Sequence, residues 1–218
     1  MSRFRLVFMA VILLSVSARL VAQEKIRVAC VGNSITEGYG LRNPHHDAYP
    51  AVLQRLLGDG YEVRNFGKSG RALLSHSDAP YVKESVYRDA LDFNPDIVTI
   101  KLGTNDTKPQ NWKYGSEFVA DLTALVNSFR NLPSRPAIYL CYPVPAAREV
   151  WGINDSIIVA GVIPAIRKVA KKQHLKIIDL HAAFMPYCHL LPDGIHPDAD
   201  GAEVIAHTIG EFLLKEQK

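Results

Sequence analysis

Ser34 lies in "VGNSITEG", directly after an apolar run, and His196 lies in "DGIHPD" near the other end of the chain. A serine hydroxyl becomes a competent nucleophile when a base removes its proton, and imidazole is the side chain best suited to do so near neutral pH. Asp193 precedes His196 by three residues. From there it can reach Nδ1, select the tautomer and stabilise the imidazolium. Acyl transfer also needs donors for the oxyanion of a tetrahedral intermediate. The candidates are the backbone N–H of Ser34, the backbone N–H of Gly70 in "NFGKSG", and the side-chain amide of Asn105 in "LGTND". Glycine at 70 lets the backbone approach a substrate with no Cβ in the way. Each block alone has an ordinary use: a serine or "TND" caps a helix, "GKSG" makes a turn, and Asp-x-x-His forms a local hydrogen bond. Together they supply nucleophile, base, orienting acid and oxyanion donors.

Such residues work only if a scaffold brings them together. Five apolar, β-rich runs span 26–32, 61–67, 96–103, 137–144 and 175–180. Helix-like stretches alternate with them at 49–58, 81–93, 115–132 and 155–173, and a last helix covers 199–215. Phe118, Leu122, Leu125, Val126 and Phe129 repeat at helical spacing. Strands apolar on both faces, alternating with helices, predict one α/β domain with a five-stranded parallel sheet covered on both sides. Ligand sites in such sheets gather beyond the carboxyl ends of the strands. Ser34, Gly70 and Asn105 each follow a predicted strand, and Asp193 and His196 precede the last helix.

The four blocks resemble those of the SGNH (GDSL-type) hydrolases. "GNSITEG" stands where that family has its GDSL-type segment, and "NFGKSG", "LGTND" and "DGIHPDADGAEVIA" follow in the family's order across nearly all of the chain beyond the leader. Asn33 replaces a common Asp and Ile35 a common Ser, variants frequent in the carbohydrate-esterase branches. G-x-S-x-G is absent, so the α/β-hydrolase elbow is not the model. The resemblance implies a flavodoxin-like three-layer α/β/α sandwich and ester hydrolysis without metal or other cofactor. It makes Ser34 the nucleophile, Asp193 and His196 the rest of the triad, and Ser34, Gly70 and Asn105 the oxyanion hole. Its wording is nearest to branches that remove O-acetyl groups from polysaccharides or sialates. Lysophospholipase or acyl-thioesterase chemistry on the same fold is a second reading, and a glycan-binding module that has lost catalysis a third.

Composition narrows the remaining classes. Residues 1–22 carry two early arginines, an apolar run and then small residues, the pattern of a secretory signal peptide cut after Ala22, or alternatively after Ala18. The apolar run is too short for a membrane span. Export to the periplasm or exterior is therefore expected, with residues 23–218 as a single catalytic domain and no stable membrane anchor. Three of the 25 Lys and Arg lie in that leader, leaving 22 against 22 Asp and Glu. A near-neutral chain with interspersed charges excludes nucleic acid as a partner; an acetylated carbohydrate or other small ester fits. Cys30 and Cys141 fall inside strand-like runs and are expected buried and free rather than paired in a disulfide framework.

A few residues carry open readings. Trp112 either stacks on a sugar at the rim of the site or packs as part of a lid. Tyr142 and Pro143 end the fourth strand and are placed to wall the pocket. Glu37 and Asp106 lie near the catalytic candidates, and Asp106 is placed to cap the segment after Asn105. Arg71 either meets an acidic group of the substrate or points outward. The histidines at 45, 46, 76, 181 and 189 match no common zinc spacing.

Overall fold

The computed structural model describes residues 24–217. The proposed leader lies outside these residues. Five strands, β1 (Ile26–Gly32), β2 (Tyr61–Gly67), β3 (Ile97–Lys101), β4 (Ala137–Cys141) and β5 (Lys176–Ile178), form one parallel sheet in the order β2-β1-β3-β4-β5. Register runs Ile26 opposite Tyr61, Val28 opposite Ile97, Ile97 opposite Ala137 and Tyr139 opposite Lys176. The predicted strand order in sequence and the doubly covered parallel sheet are as observed. The last three strands are shorter than expected because the chain leaves the sheet at Leu102, Tyr142 and Asp179 to build the functional edge.

Helices follow the strands: α1 (Ser34–Glu37), α2 (Pro44–Asp47), α3 (Tyr49–Leu57), α4 (Ser85–Asp92), α5 (Pro109–Trp112), α6 (Phe118–Arg130), α7 (Asp155–Ile157), α8 (Ile163–Gln173), α9 (Leu180–Phe184) and α10 (Ala199–Glu216). Successive strand residues point to opposite faces, so each strand feeds two cores. Ala29, Val31, Val98, Ile100, Ile138 and Leu140 pack on one side with residues of α6 and α8. Val28, Cys30, Ile97, Tyr139 and Cys141 pack on the other with residues of α3 and α10. Cys30 and Cys141 are buried free thiols, and Cys188 is free and half-buried.

Two predicted helices are interrupted. The stretch 81–93 is a 3₁₀ turn (Tyr81–Lys83) and then α4, separated by Glu84 in extended backbone. In the stretch 155–173, Ile158–Val162 widens into a π-turn ahead of Pro164. Proline offers no N–H to the preceding turn, and a wider loop of helix accommodates the missing bond. No helix among the described residues is long and apolar enough to cross a membrane.

Candidate active site

β1 delivers its last residues into a tight turn where Asn33, not Ser34, is the cap of α1: the Asn33 Oδ1 accepts the N–H of Ile35 at 3.2 Å. Because the neighbouring amide does the capping, the Ser34 hydroxyl is free to face the cleft. Its Oγ lies 2.8 Å from His196 Nε2, and His196 Nδ1 lies 2.7 Å from Asp193 Oδ2. The other oxygen of Asp193, Oδ1, accepts the backbone N–H groups of Ile195 at 2.8 Å and His196 at 2.7 Å. Partial burial opposes the charge on Asp193. The hydrogen bonds from His196 and Ile195 outweigh it and hold this carboxyl below the usual carboxylate range. Ser34 and His196 are each only 7% exposed, so the pair is screened from bulk water but reachable.

The oxyanion candidates converge on the same place. Ser34, Gly70, Asn105 and His196 all line one cleft of about 160 Å³. Ser34 is the first residue of its helix, where the N–H has no intrahelical acceptor. Gly70 has φ +77°, and a Cβ there would meet open space. The glycine therefore answers a left-handed backbone rather than crowding. Asn105 gives one Nδ2 hydrogen to the carbonyl of Arg71 at 3.0 Å, which leaves the other for a ligand. Arg71 itself is engaged by Glu84, at 2.8 Å from its Nε.

Behind this edge stands a second group of polar residues. The Asp106 carboxylate does not cap its own segment. It accepts the N–H groups of Leu73 at 3.0 Å and Leu74 at 2.8 Å, tying the loop that carries Gly70 to the turn that carries Asn105. Complete burial pushes Asp106 up to about 6 despite those donors. Asn111 donates to the Asn105 carbonyl at 2.9 Å and to Asp78 Oδ1 at 3.0 Å. Glu37 accepts the Ser69 N–H at 2.7 Å and also the Ser69 hydroxyl, fixing the residue before Gly70.

Two expected substrate contacts lie elsewhere. Trp112 packs its indole against Phe118 and the backbone of Gly161, where a Cβ would come within 2.2 Å of the ring. It fastens the π-turn to the body of the protein and does not line the cleft. Tyr142 is buried in the core, and its hydroxyl accepts from Arg167 Nε at 3.3 Å. The chain turns inward at the end of β4, which takes this ring away from the cleft. The aromatics at the cleft are Tyr39 and Trp151, 53% and 56% exposed, with ring centroids 4.6 Å and 5.6 Å from that of His196. Trp151 has φ +53° and is followed by Gly152 at φ +75°, between the bridged residues Val150 and Ile153. Glycine after a bulky residue, between two β-branched ones, was the available turn signal. Outside the triad, His46, His76 and His181 each pair with one carboxylate: Asp47, Glu117 and Asp155.

A parallel α/β sheet with a Ser-His-Asp relay, its serine and histidine buried, and candidate oxyanion donors beyond its strands defines a serine-hydrolase class of site. Residues 30–204 match the family described as GDSL-like Lipase/Acylhydrolase, and the chain belongs to that family. It is 45% identical over 209 residues to an acetylxylan esterase of Xylanibacter ruminicola, a match covering 88% of this chain and 44% of that protein. A multidomain esterase of Ruminococcus flavefaciens is 26% identical over 165 residues, covering 72% of this chain and 20% of that one. The chain thus spans less than half the length of these curated relatives. Among solved structures, a carbohydrate acetylesterase from Sinorhizobium meliloti superposes with a TM-score of 0.73 at 20% identity, covering 88% of this chain and 99% of that one. That likeness shows the fold.

Proposed function

We propose that this chain removes O-acetyl groups from carbohydrate through an acetyl-Ser34 intermediate. The observation that carries the reading is the Ser34–His196–Asp193 relay, at 2.8 Å and 2.7 Å, in a cleft of only about 160 Å³. Sites for drug-sized ligands run to roughly 300–1,000 Å³. A cleft this small suits a short acyl group. The likeness to an acetylxylan esterase supports the same substrate class.

In this mechanism His196 Nε2 takes the Ser34 proton as Oγ adds to the ester carbonyl carbon. The oxyanion receives hydrogen bonds from the N–H groups of Ser34 and Gly70 and from Asn105 Nδ2. Collapse breaks the bond to the sugar oxygen, which leaves with the proton carried by His196. Water, deprotonated by the same imidazole, then adds to the acetyl-enzyme and releases acetate and free Ser34. Asp193 remains ionised and holds the imidazole in register throughout.

Acetate release from acetylated xylan, with Ser34→Ala as the reference, tests the reading. Wild type should release acetate and the variant should not, with both equally folded. Equal activity in the two, or faster turnover of p-nitrophenyl octanoate than of the acetate, overturns it. We place the mature enzyme outside the cytoplasm on the strength of the leader pattern. N-terminal sequencing of exported protein should begin at Gln23 or Arg19.

A further inference from the structure

We propose that the groove between α2, α3 and the edge strand β2 holds the polysaccharide chain flanking the acetylated sugar. This inference rests on the acetyl-carbohydrate reading above and adds where the polymer lies. The groove encloses about 690 Å³ and shares two residues, Tyr39 and Ser69, with the catalytic cleft. The small cleft takes the acyl group. The larger groove, opening past the exposed Tyr39 ring, takes what the acyl group is attached to.

Its chemistry selects a neutral saccharide. Leu41, Pro50 and Val63 offer apolar wall, while His45 and Glu37 place polar groups among them. Sugars present C–H faces and hydroxyl edges together, and an aromatic ring such as Tyr39 with interspersed polar groups matches both. A lipid chain would want continuous apolar lining. An anionic polymer would meet the Glu37 carboxylate, whose neighbour Lys68 is already 3.8 Å from it. A peptide added as an extra strand is also disfavoured, because the outer edge of β2 is already engaged. Gln54 Oε1 accepts the Val63 N–H at 2.7 Å, Gln54 Nε2 donates to the Tyr61 carbonyl at 3.1 Å, and Asn65 Oδ1 accepts the Gly67 N–H at 2.8 Å.

The test measures kcat/KM for acetate release from acetylated xylo-oligosaccharides of increasing length, relative to p-nitrophenyl acetate. Three proteins are compared: wild type, Ala51→Trp, which fills the groove, and His45→Ala. Wild type should gain efficiency with length. Ala51→Trp should erase that gain, lowering the oligosaccharide-to-acetate ratio about tenfold, the loss of roughly 1.4 kcal/mol of binding, and His45→Ala should lower it less. A length gain that survives both substitutions overturns the groove while leaving the esterase reading standing. Turnover of p-nitrophenyl acetate with no release from any acetylated saccharide overturns both. A changed oligomeric state in Ala51→Trp assigns the groove to a second copy and also overturns it. Should Ala51→Trp misfold, deacetylated xylo-oligosaccharide added to Ser34→Ala decides the matter by NMR. Shifts at His45 and Ala51 support the proposal, and their absence overturns it.

Discussion

Lys101 ends β3 beneath the nucleophile turn, its Nζ 3.5 Å from the Oδ1 of Asn33, the residue before Ser34. The lysine is 0% exposed and its near partner is a neutral amide. Among the described residues, the Asn33 Nδ2 is buried with no hydrogen-bond partner. Burial pulls Lys101 down to about 7. It also pushes the thiols of Cys30 and Cys141 up to about 12, so neither supplies an anion to pair with it.

Replacing this amine should therefore stabilise the protein. A buried, poorly paired charge carries a desolvation cost that an apolar side chain of similar volume does not. The sign of the pH effect follows from linkage. Between about 7 and 10.5 the unfolded chain holds the Lys101 proton and the folded chain does not, so stability rises with pH there. The slope is at most about 1.4 kcal/mol per pH unit. Denaturant unfolding should show Lys101→Met more stable at pH 7 and without that share of the slope. An identical slope in both proteins refutes the assignment.

Asp106 links the two halves of the oxyanion edge, and its loss should be felt in both stability and rate. Asn at this position accepts one N–H with its oxygen and turns an NH₂ group toward the other donor. Leaving the Leu73 or Leu74 N–H buried and unpaired costs about 1–3 kcal/mol. The Gly70 loop is then held to the Asn105 turn by the Asn105–Arg71 bond and one fewer Asp106 bond, so kcat should fall more than KM changes. Stability loss with an unaltered kcat would confine Asp106 to a structural role.

Asn105→Ala tests the proposed oxyanion donor, whose hydrogen bond to the oxyanion would form only with the tetrahedral intermediate. Its expected cost is roughly 10²–10³ in kcat, with KM little moved. Single-turnover kinetics with p-nitrophenyl acetate read this directly, and an unchanged acylation rate removes Asn105 from the oxyanion hole.

Trp151 occupies the first central position of a turn in which both central residues have positive φ, where Asn-Gly is the favoured pair. A bulky residue in left-handed backbone costs about 1–2 kcal/mol, and such strain is retained where a site needs the side chain. Trp151→Asn should raise the melting temperature while raising KM for acetylated saccharides. Loss of stability together with unchanged KM would mean that the indole holds the turn and touches no substrate.

The sheet, its doubly apolar strands and the triad were readable because their constraints are local or periodic. Ser34, Gly70 and Asn105 each sit where a strand ends, and Asp193 and His196 share one turn. Between the two readings of Trp112, and for the pocket-wall reading of Tyr142, the sequence could not decide, for the opposite reason. Whether an aromatic faces a cleft or a core depends on a distant partner, here Gly161 for one and Arg167 for the other. The Asp106 carboxylate reaches 33 residues back along the chain to Leu73, a contact that no spacing rule reports. The Ser34 hydroxyl faces His196 across the cleft, but the cap that frees it belongs to Asn33, one residue earlier.

Asp193 gives the sharpest test of the relay. It accepts the Ile195 and His196 backbone N–H groups as well as the imidazole, and those bonds hold it below the usual carboxylate range. Its folded pKa is depressed, so its share of stability is fully present above the unfolded value of 3.8 and is lost as pH falls through the lower folded value. Activity lost on moderate acidification therefore does not come from Asp193, which is still ionised there. Asp193→Asn keeps the shape but can offer its NH₂ to Nδ1 and favour the wrong tautomer, which in a serine triad costs on the order of 10⁴ in kcat. The expected variant folds normally, binds substrate with a similar KM and turns over at that reduced rate. A variant retaining more than about a tenth of wild-type kcat would show that His196 needs no carboxylate to orient it, and the relay would shorten to Ser34 and His196 alone.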